Sequence, residues 1–174
     1  MKKCPYVTKT GDKGKTSIIG KRADKNSTII QFLGSLDEVN CYIGMVRNYA
    51  DSNLTNILIT IQNQLLNVGA NVSGSEIIIN EKYTEWVEEH IEHFYQSVGE
   101  THNFVLPGGS ILSSFIHITR AIIRRSETLL WSLENINPHV ATYMNRLSDL
   151  FFVLGRFTNE QEDIVWKVGQ LNYE

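Results

Sequence analysis

Apolar residues recur at intervals of three and four along most of this chain, and that period predicts helices. Over residues 53–73, Leu54, Ile57, Leu58, Ile61, Leu65 and Val68 form one stripe. Residues 81–98 repeat the pattern with Trp86, Val87, Ile91, Phe94 and Tyr95, and Gly99 is a natural stop. An earlier helix is predicted from Ser27 to about Tyr49, with Leu36, Val39, Ile43 and Val46 on one face and Asp37 and Asn40 beside it. Ser35 with Glu38 matches a capping box, so the main helix is expected to begin there. A fourth helix runs from a Ser110 cap to about Leu133, with Ile118, Ile122 and Leu129 as its core face. A fifth starts at Asn137-Pro138, since proline suits a first turn, and continues toward Phe157 or Trp166, with Gly155 as a weak point. Five amphipathic helices with short connections predict an all-α, antiparallel five-helix bundle, one domain over 1–174. Residues 1–26 depart from the pattern. They read as irregular structure or very short strands, with Ile18-Ile19 a brief strand contact and the charged stretch from Gly20 to Asn26 exposed.

Composition narrows the function classes. The chain has 174 residues, 42% of them hydrophobic, enough for one sizeable core. A formal charge of −3 leaves no broad basic excess for nucleic acid, though a local anion site is compatible with it. Cys4 and Cys41 are too few and too distant for a disulfide framework or a four-cysteine zinc site, so a reducing compartment is expected. The opening Met-Lys-Lys-Cys-Pro-Tyr has no apolar run behind it, which argues against a secretory signal. No stretch approaches the roughly 20 apolar residues of a membrane span. A cytoplasmic location, without membrane or nucleic-acid partners, is the expectation.

Three clusters carry candidate chemistry. Near the start, Thr8-Lys9-Thr10-Gly11-Asp12-Lys13-Gly14-Lys15-Thr16 can grip an anion. Gly11 and Gly14 can turn N–H groups toward phosphate, Lys9, Lys13 and Lys15 neutralise charge, and Asp12 can orient a lysine or help hold magnesium. The spacing is not that of a Walker A loop. A solvated basic turn is the alternative. On the fourth helix, Arg120, Arg124 and Glu127 share one face, while Arg125 points about 100° away. An arginine there can receive a triphosphate through its planar fork, or the face can be an ordinary ion-pair surface. On the fifth helix, Asn145, Asp149, Phe152 and Arg156 form a stripe with Arg146 adjacent. That stripe reads either as nucleotide recognition or as a polar network fixing helix register. His90, His93, His102 and His117 lack a clear third metal ligand, and no serine–histidine–acid spacing is present. A protein-held metal and a protein nucleophile are therefore not expected.

Together with Ser35-Leu36-Asp37-Glu38-x-Asn40 and Phe104-x-Leu106-Pro107-Gly108-Gly109, these clusters resemble the PduO-type ATP:cob(I)alamin adenosyltransferases, the family that includes the human mitochondrial enzyme. The remaining matches are Arg120-x-x-x-Arg124-Arg125-x-Glu127 and Asn145-Arg146-Leu147-Ser148-Asp149, in family order across nearly the whole chain. The resemblance implies a ferritin-like five-helix bundle with an irregular N-terminal ATP-binding segment. It implies a homotrimer with intersubunit active sites, and transfer of the 5′-deoxyadenosyl group from ATP to cob(I)alamin with release of triphosphate. Arg124 is then the phosphate-binding catalytic candidate and Asn145 an ATP-placing one. Thr8, Lys9, Thr10, Gly11, Asp12, Lys13, Gly14, Thr16, Arg125, Glu127 and Arg146 are further nucleotide-side candidates. Asp37 and Arg120 resemble an acid–base pair across the subunit interface. Phe104 matches an aromatic that keeps a lower axial ligand off cobalt, favouring four-coordinate cob(II)alamin and its reduction. Magnesium, cobalamin, a flavoprotein reductant and an adenosylcobalamin-dependent enzyme are the implied cofactors and partners. Two departures stand out: Ser126-Glu127-Thr128 where the family commonly has Ala-Glu-Arg, and Gly155-Arg156 where it has Ala-Arg. A noncatalytic nucleotide-responsive cobalamin carrier and a purely structural helix-bundle oligomer are the competing readings.

Overall fold

A computed structural model describes residues 4–159 and 163–169. Its described elements are a hairpin, β1 (Lys15–Ile18) and β2 (Lys21–Asp24), followed by α1 (Thr28–Arg47), α2 (Ser52–Val72), α3 (Glu81–Val98), α4 (Ile111–Leu130) and α5 (Pro138–Phe157). The helical starts follow from local chemistry. Asp51 accepts from the Leu54 N–H, Asn80 from Lys82, Ser110 from Ser113 and Asn137 from His139, so each side chain satisfies a donor that the first turn leaves open.

Packing is carried by α4 against α5 and α1, with α3 on the far side of α5 and α2 on the far side of α1. The core is built from the predicted stripes: Val39 and Ile43 on α1, Leu58, Ile61 and Leu65 on α2, Val87 on α3, Ile116 and Ile123 on α4, Met144, Leu147, Phe151 and Leu154 on α5 are all buried. Tyr143 is fully buried and donates its hydroxyl to Gln64 Oε1 at 3.1 Å, so a polar tip in the core is matched by an acceptor.

Several expectations are corrected. The capping box at Ser35 is not used: α1 begins at Thr28, and Ser35 is buried mid-helix, where its hydroxyl meets that of Ser126 on α4. A serine facing another serine across a helix pair has the same composition as a cap, so the motif alone did not distinguish them. Of the expected α4 face, Ile122 is buried and Leu129 packs partly buried against the core, but Ile118 is 43% exposed, and Ile116, Ile123 and Leu130 complete the face. Of the two ends expected for α5, the structure has Phe157 and not Trp166. The charged stretch after Gly20 is mostly exposed, as expected, and forms the very short strand β2, with Arg22 opposite Ser17 and Lys15 opposite Asp24, and Lys15 Nζ lies 3.1 Å from Asp24 Oδ1.

Candidate functional site

Helix α4 presents Arg120 and Arg124 one turn apart, and α5 presents Phe152 beside them. The loop after α3 brings Phe104 over the same space. These residues, with Thr101, His102, Asn103 and Val105, line a cleft of about 590 Å³. That size falls within the range of small-molecule sites. The Arg120 guanidinium carbon lies 5.7 Å from the centre of the Phe152 ring, a cation–π position. Its Nε is buried without a hydrogen-bond partner among the described residues. Burial, and secondarily the neighbouring Arg124, hold Arg120 below the usual arginine value. An incoming anion would relieve both penalties. Arg124 is exposed, and its side chain has no hydrogen bond or ion pair among the described residues. Phe104 is 77% exposed, an unusual setting for a phenylalanine at the mouth of a cleft.

His117, one turn before Arg120, meets the ring of Phe152 edge-on, with centroids 6.4 Å apart. It is 7% exposed, its Nδ1 has no hydrogen-bond partner among the described residues, and its ring lies across the α5 backbone at Gly155. A Cβ at Gly155 would sit 2.7 Å from two ring atoms, so the glycine is the space the imidazole occupies. Burial, then the charge on Arg120, push His117 below the usual histidine value, against a smaller opposing effect of Asp163.

The family pattern described as "Cobalamin adenosyltransferase" matches residues 6–158. The corrinoid adenosyltransferase of Bacillus subtilis is 35% identical over 179 aligned positions, covering 96% of this chain and 91% of that protein. The human corrinoid adenosyltransferase is 30% identical, covering 95% of this chain and 73% of that one. A phenylalanine-to-alanine variant of the PduO-type ATP:corrinoid adenosyltransferase from Lactobacillus reuteri, solved with cobalamin and ATP, superposes with a TM-score of 0.87 at 34% identity, covering 93% of this chain and 99% of that one. The chain belongs to the PduO-type corrinoid adenosyltransferase family. Its all-α five-helix bundle is the fold of that family.

The other candidates of this adenosyltransferase are distributed unevenly. Asn145 is exposed and its Nδ2 donates to Glu127 Oε1 at 3.3 Å, so two of the predicted nucleotide-side residues are joined. Arg146 is committed elsewhere: it donates to Glu88 on α3 and to Asp149, each at 2.8 Å, and the Glu88 bond is the first cause of its raised pKa. Arg125 pairs with Glu38. Asp37 is exposed and lines a separate groove of about 530 Å³ with Asn40, Arg47 and Gln62, so Asp37 and Arg120 do not meet within one chain.

The N-terminal segment is organised by a residue that the sequence reading passed over. Arg22 donates to the Thr10 carbonyl at 2.7 Å, the Lys15 carbonyl at 3.0 Å and the Ser17 hydroxyl at 2.9 Å. The Thr8 and Thr10 hydroxyls lie 3.0 Å apart, and the Lys25 N–H closes on the Gly14 carbonyl at 2.9 Å. Lys9 sits at φ 57°, a left-handed position that a non-glycine residue seldom takes. Lys13, Asp12 and Lys9 are exposed, and none of Thr8 to Thr16 lines the Arg124 cleft. Arg22 could have been found from its place in a basic run two residues past a turn glycine. His117 carried no spacing signal, and Arg156 entered only as the last member of the polar stripe on α5, with nothing to mark its partners.

Both departures from the family run have local explanations, Gly155 in the space that His117 occupies. Ser126 is buried against Ser35 and donates to the Ile122 carbonyl, while the Thr128 hydroxyl bonds the Arg124 carbonyl at 3.1 Å. The histidines other than His117 are structural or exposed. His90 Nδ1 is 2.7 Å from the Trp86 carbonyl, His93 packs edge-on to Phe94, and His102 is exposed beside Glu100. Among the described residues no group of three or more His, Cys, Asp or Glu is placed to hold a metal, and no helix is long and apolar enough to cross a membrane.

Proposed function

We propose that this chain transfers the 5′-deoxyadenosyl group of ATP to a reduced corrinoid, giving adenosylcobalamin and triphosphate, and that the cleft between Arg124 and Phe104 is where the two substrates meet. The observation that carries the reading is an unpaired Arg124 facing an exposed Phe104 across one cleft, in a chain of this family. In the Lactobacillus reuteri protein the variants solved with ATP alter a phenylalanine and an arginine twenty positions apart. Phe104 and Arg124 are also twenty apart, which supports giving them the corrinoid and phosphate sides.

The chemistry then needs no protein nucleophile. The electron pair on cobalt(I) attacks the ribose C5′, the C5′–O bond breaks, and its electrons leave on triphosphate. Arg124 neutralises charge that grows on the leaving oxygen, which is where an arginine fork contributes most. Asn145, held by Glu127, places the nucleotide. The Thr8–Thr16 loop closes over ATP with Lys9 and Lys13 as its charges, and Arg22 holds it in shape. Phe104 excludes a lower axial ligand from cobalt. Magnesium would organise the phosphates, and Asp12 on the N-terminal loop could help hold it. Asp37, exposed on its own groove, and Arg120, with an unpartnered Nε, suit a pair formed between copies in a homotrimer. We read the chain as one cytoplasmic domain, fed by a flavoprotein reductant and supplying an adenosylcobalamin-dependent enzyme.

Purified protein incubated with ATP, magnesium and chemically reduced cobalamin separates the readings. Turnover to adenosylcobalamin is expected. Binding of both ligands without turnover would favour a carrier, and binding of neither a structural oligomer.

A further inference from the structure

One guanidinium, that of Arg156 near the end of α5, ties the start of the Phe104 loop to the segment that pairs with it. Its side chain is 11% exposed. It donates from one terminal nitrogen to the Gly99 carbonyl at 2.8 Å, from the other to Val98 at 3.2 Å, and from Nε to Asp163 Oδ2 at 2.7 Å. Val98 and Gly99 are where α3 ends and the loop to Phe104 begins. Asp163 opens a short segment that runs back along the same loop. There the Leu106 N–H donates to the Ile164 carbonyl at 2.8 Å and the Trp166 N–H to the Phe104 carbonyl at 2.7 Å, around a Val105–Val165 bridge. The Trp166 ring meets Phe104 edge-on, with centroids 5.8 Å apart at 78°.

The loop's other end is tied to α5 as well. Ser113 donates to the Gly108 and Gly155 carbonyls, and Gly109, at φ 97°, leaves the space that the Asn159 side chain fills. Phe104 therefore projects from a loop clamped at both ends, yet its own ring is 77% exposed. Three donors of one planar fork reach three acceptors on two segments, a pattern that a lysine ammonium cannot reproduce in one geometry.

We propose that Arg156 is a positioning residue for the reaction. It fixes the backbone of Phe104 through Gly99 and the Asp163–Trp166 segment, and Trp166 fixes the tilt of the ring, so the aromatic is set before the corrinoid arrives. The inference rests on the corrinoid-facing role given to Phe104 above. The physical gain is that the ordering cost of the loop is met at folding and not at binding.

The test uses Arg156→Lys and Trp166→Ala in the full chain, with Phe104→Ala alongside. With ATP bound, the spectrum of four-coordinate cob(II)alamin is recorded, and the KM for ATP and for the corrinoid are measured separately. Arg156→Lys is expected to lower turnover by about tenfold, as a small misplacement can, with the four-coordinate signal reduced in step and the ATP KM within about twofold of the parent. Trp166→Ala, at a half-exposed position, should weaken the same signal in a normally folded protein. In the Phe104→Ala background both should add less than about twofold, because they act through a ring that is gone. An unchanged cob(II)alamin signal in folded Arg156→Lys and Trp166→Ala, with Phe104→Ala impaired, overturns this inference alone. If Phe104→Ala itself keeps the signal, the role of Phe104 falls and this inference with it. Should Arg156→Lys not fold, Trp166→Ala decides.

Discussion

Adding one methyl group at Gly155 should destabilise the protein, although alanine is the better helix former. The added Cβ would lie 2.7 Å from His117 Cε1 and Nε2 and 3.1 Å from Nδ1. Ordinary carbon contacts begin near 3.5 Å, so the ring must retreat by about 0.8 Å. It is 7% exposed, with Phe152 and Arg120 in contact or close by, so retreat means repacking. Overpacking of that kind costs about 1–3 kcal/mol, and the alanine returns about 0.8–1 kcal/mol of helix propensity. The net expectation for Gly155→Ala is about 0–2 kcal/mol of destabilisation, or up to about 8 °C in Tm for a chain of this size. In a His117→Ala background the clash disappears, and the same change should raise Tm. Thermal unfolding of the four proteins, at one fixed protein concentration because association shifts Tm, measures the cycle. A stabilising Gly155→Ala in the parent, or the same effect in both backgrounds within about 0.5 kcal/mol, would refute the packing argument.

Arg124→Ala should lower kcat by about a hundredfold or more while leaving Tm nearly unchanged, since the side chain is exposed and unpaired; steady-state kinetics with a melting curve tests both halves. Arg146→Met should do the reverse, lowering Tm through loss of the Glu88 and Asp149 bonds while the KM for ATP stays within about twofold. His117 titrates below the usual histidine value in the folded state, so its contribution to stability is present above the unfolded-state pKa of 6.5 and is lost as pH falls through the lower folded value. His117→Gln should accordingly flatten the fall of Tm between about pH 7 and pH 5; an unchanged slope would mean that other groups carry it.

The bundle was legible because amphipathic stripes and four of the five helix starts are local properties of the chain. Leu54 to Val68 had to share a face, and Ser110 and Asn137 had to find the open donors of a first turn. Ser35 misled because its partner, Ser126, is distant in sequence and only the packing of α1 on α4 brings them together. The same holds for the site. Arg120 and Arg124 were readable as one face from their spacing, and Asn145 with Glu127 came from two motifs that the fold then joined. Arg156, Trp166 and His117 were not readable in those roles, because their partners lie on other elements and are backbone carbonyls, a ring edge and a glycine. Gly155 looked like a flaw in α5 until His117 was seen to need the space.

The central claim is tested most directly by counting products. Protein, ATP, magnesium and cob(I)alamin should yield adenosylcobalamin and triphosphate in equal amounts, with Arg124→Ala forming little of either. Folded protein that binds both substrates yet forms neither product, or that releases ADP or pyrophosphate in place of triphosphate, would contradict it.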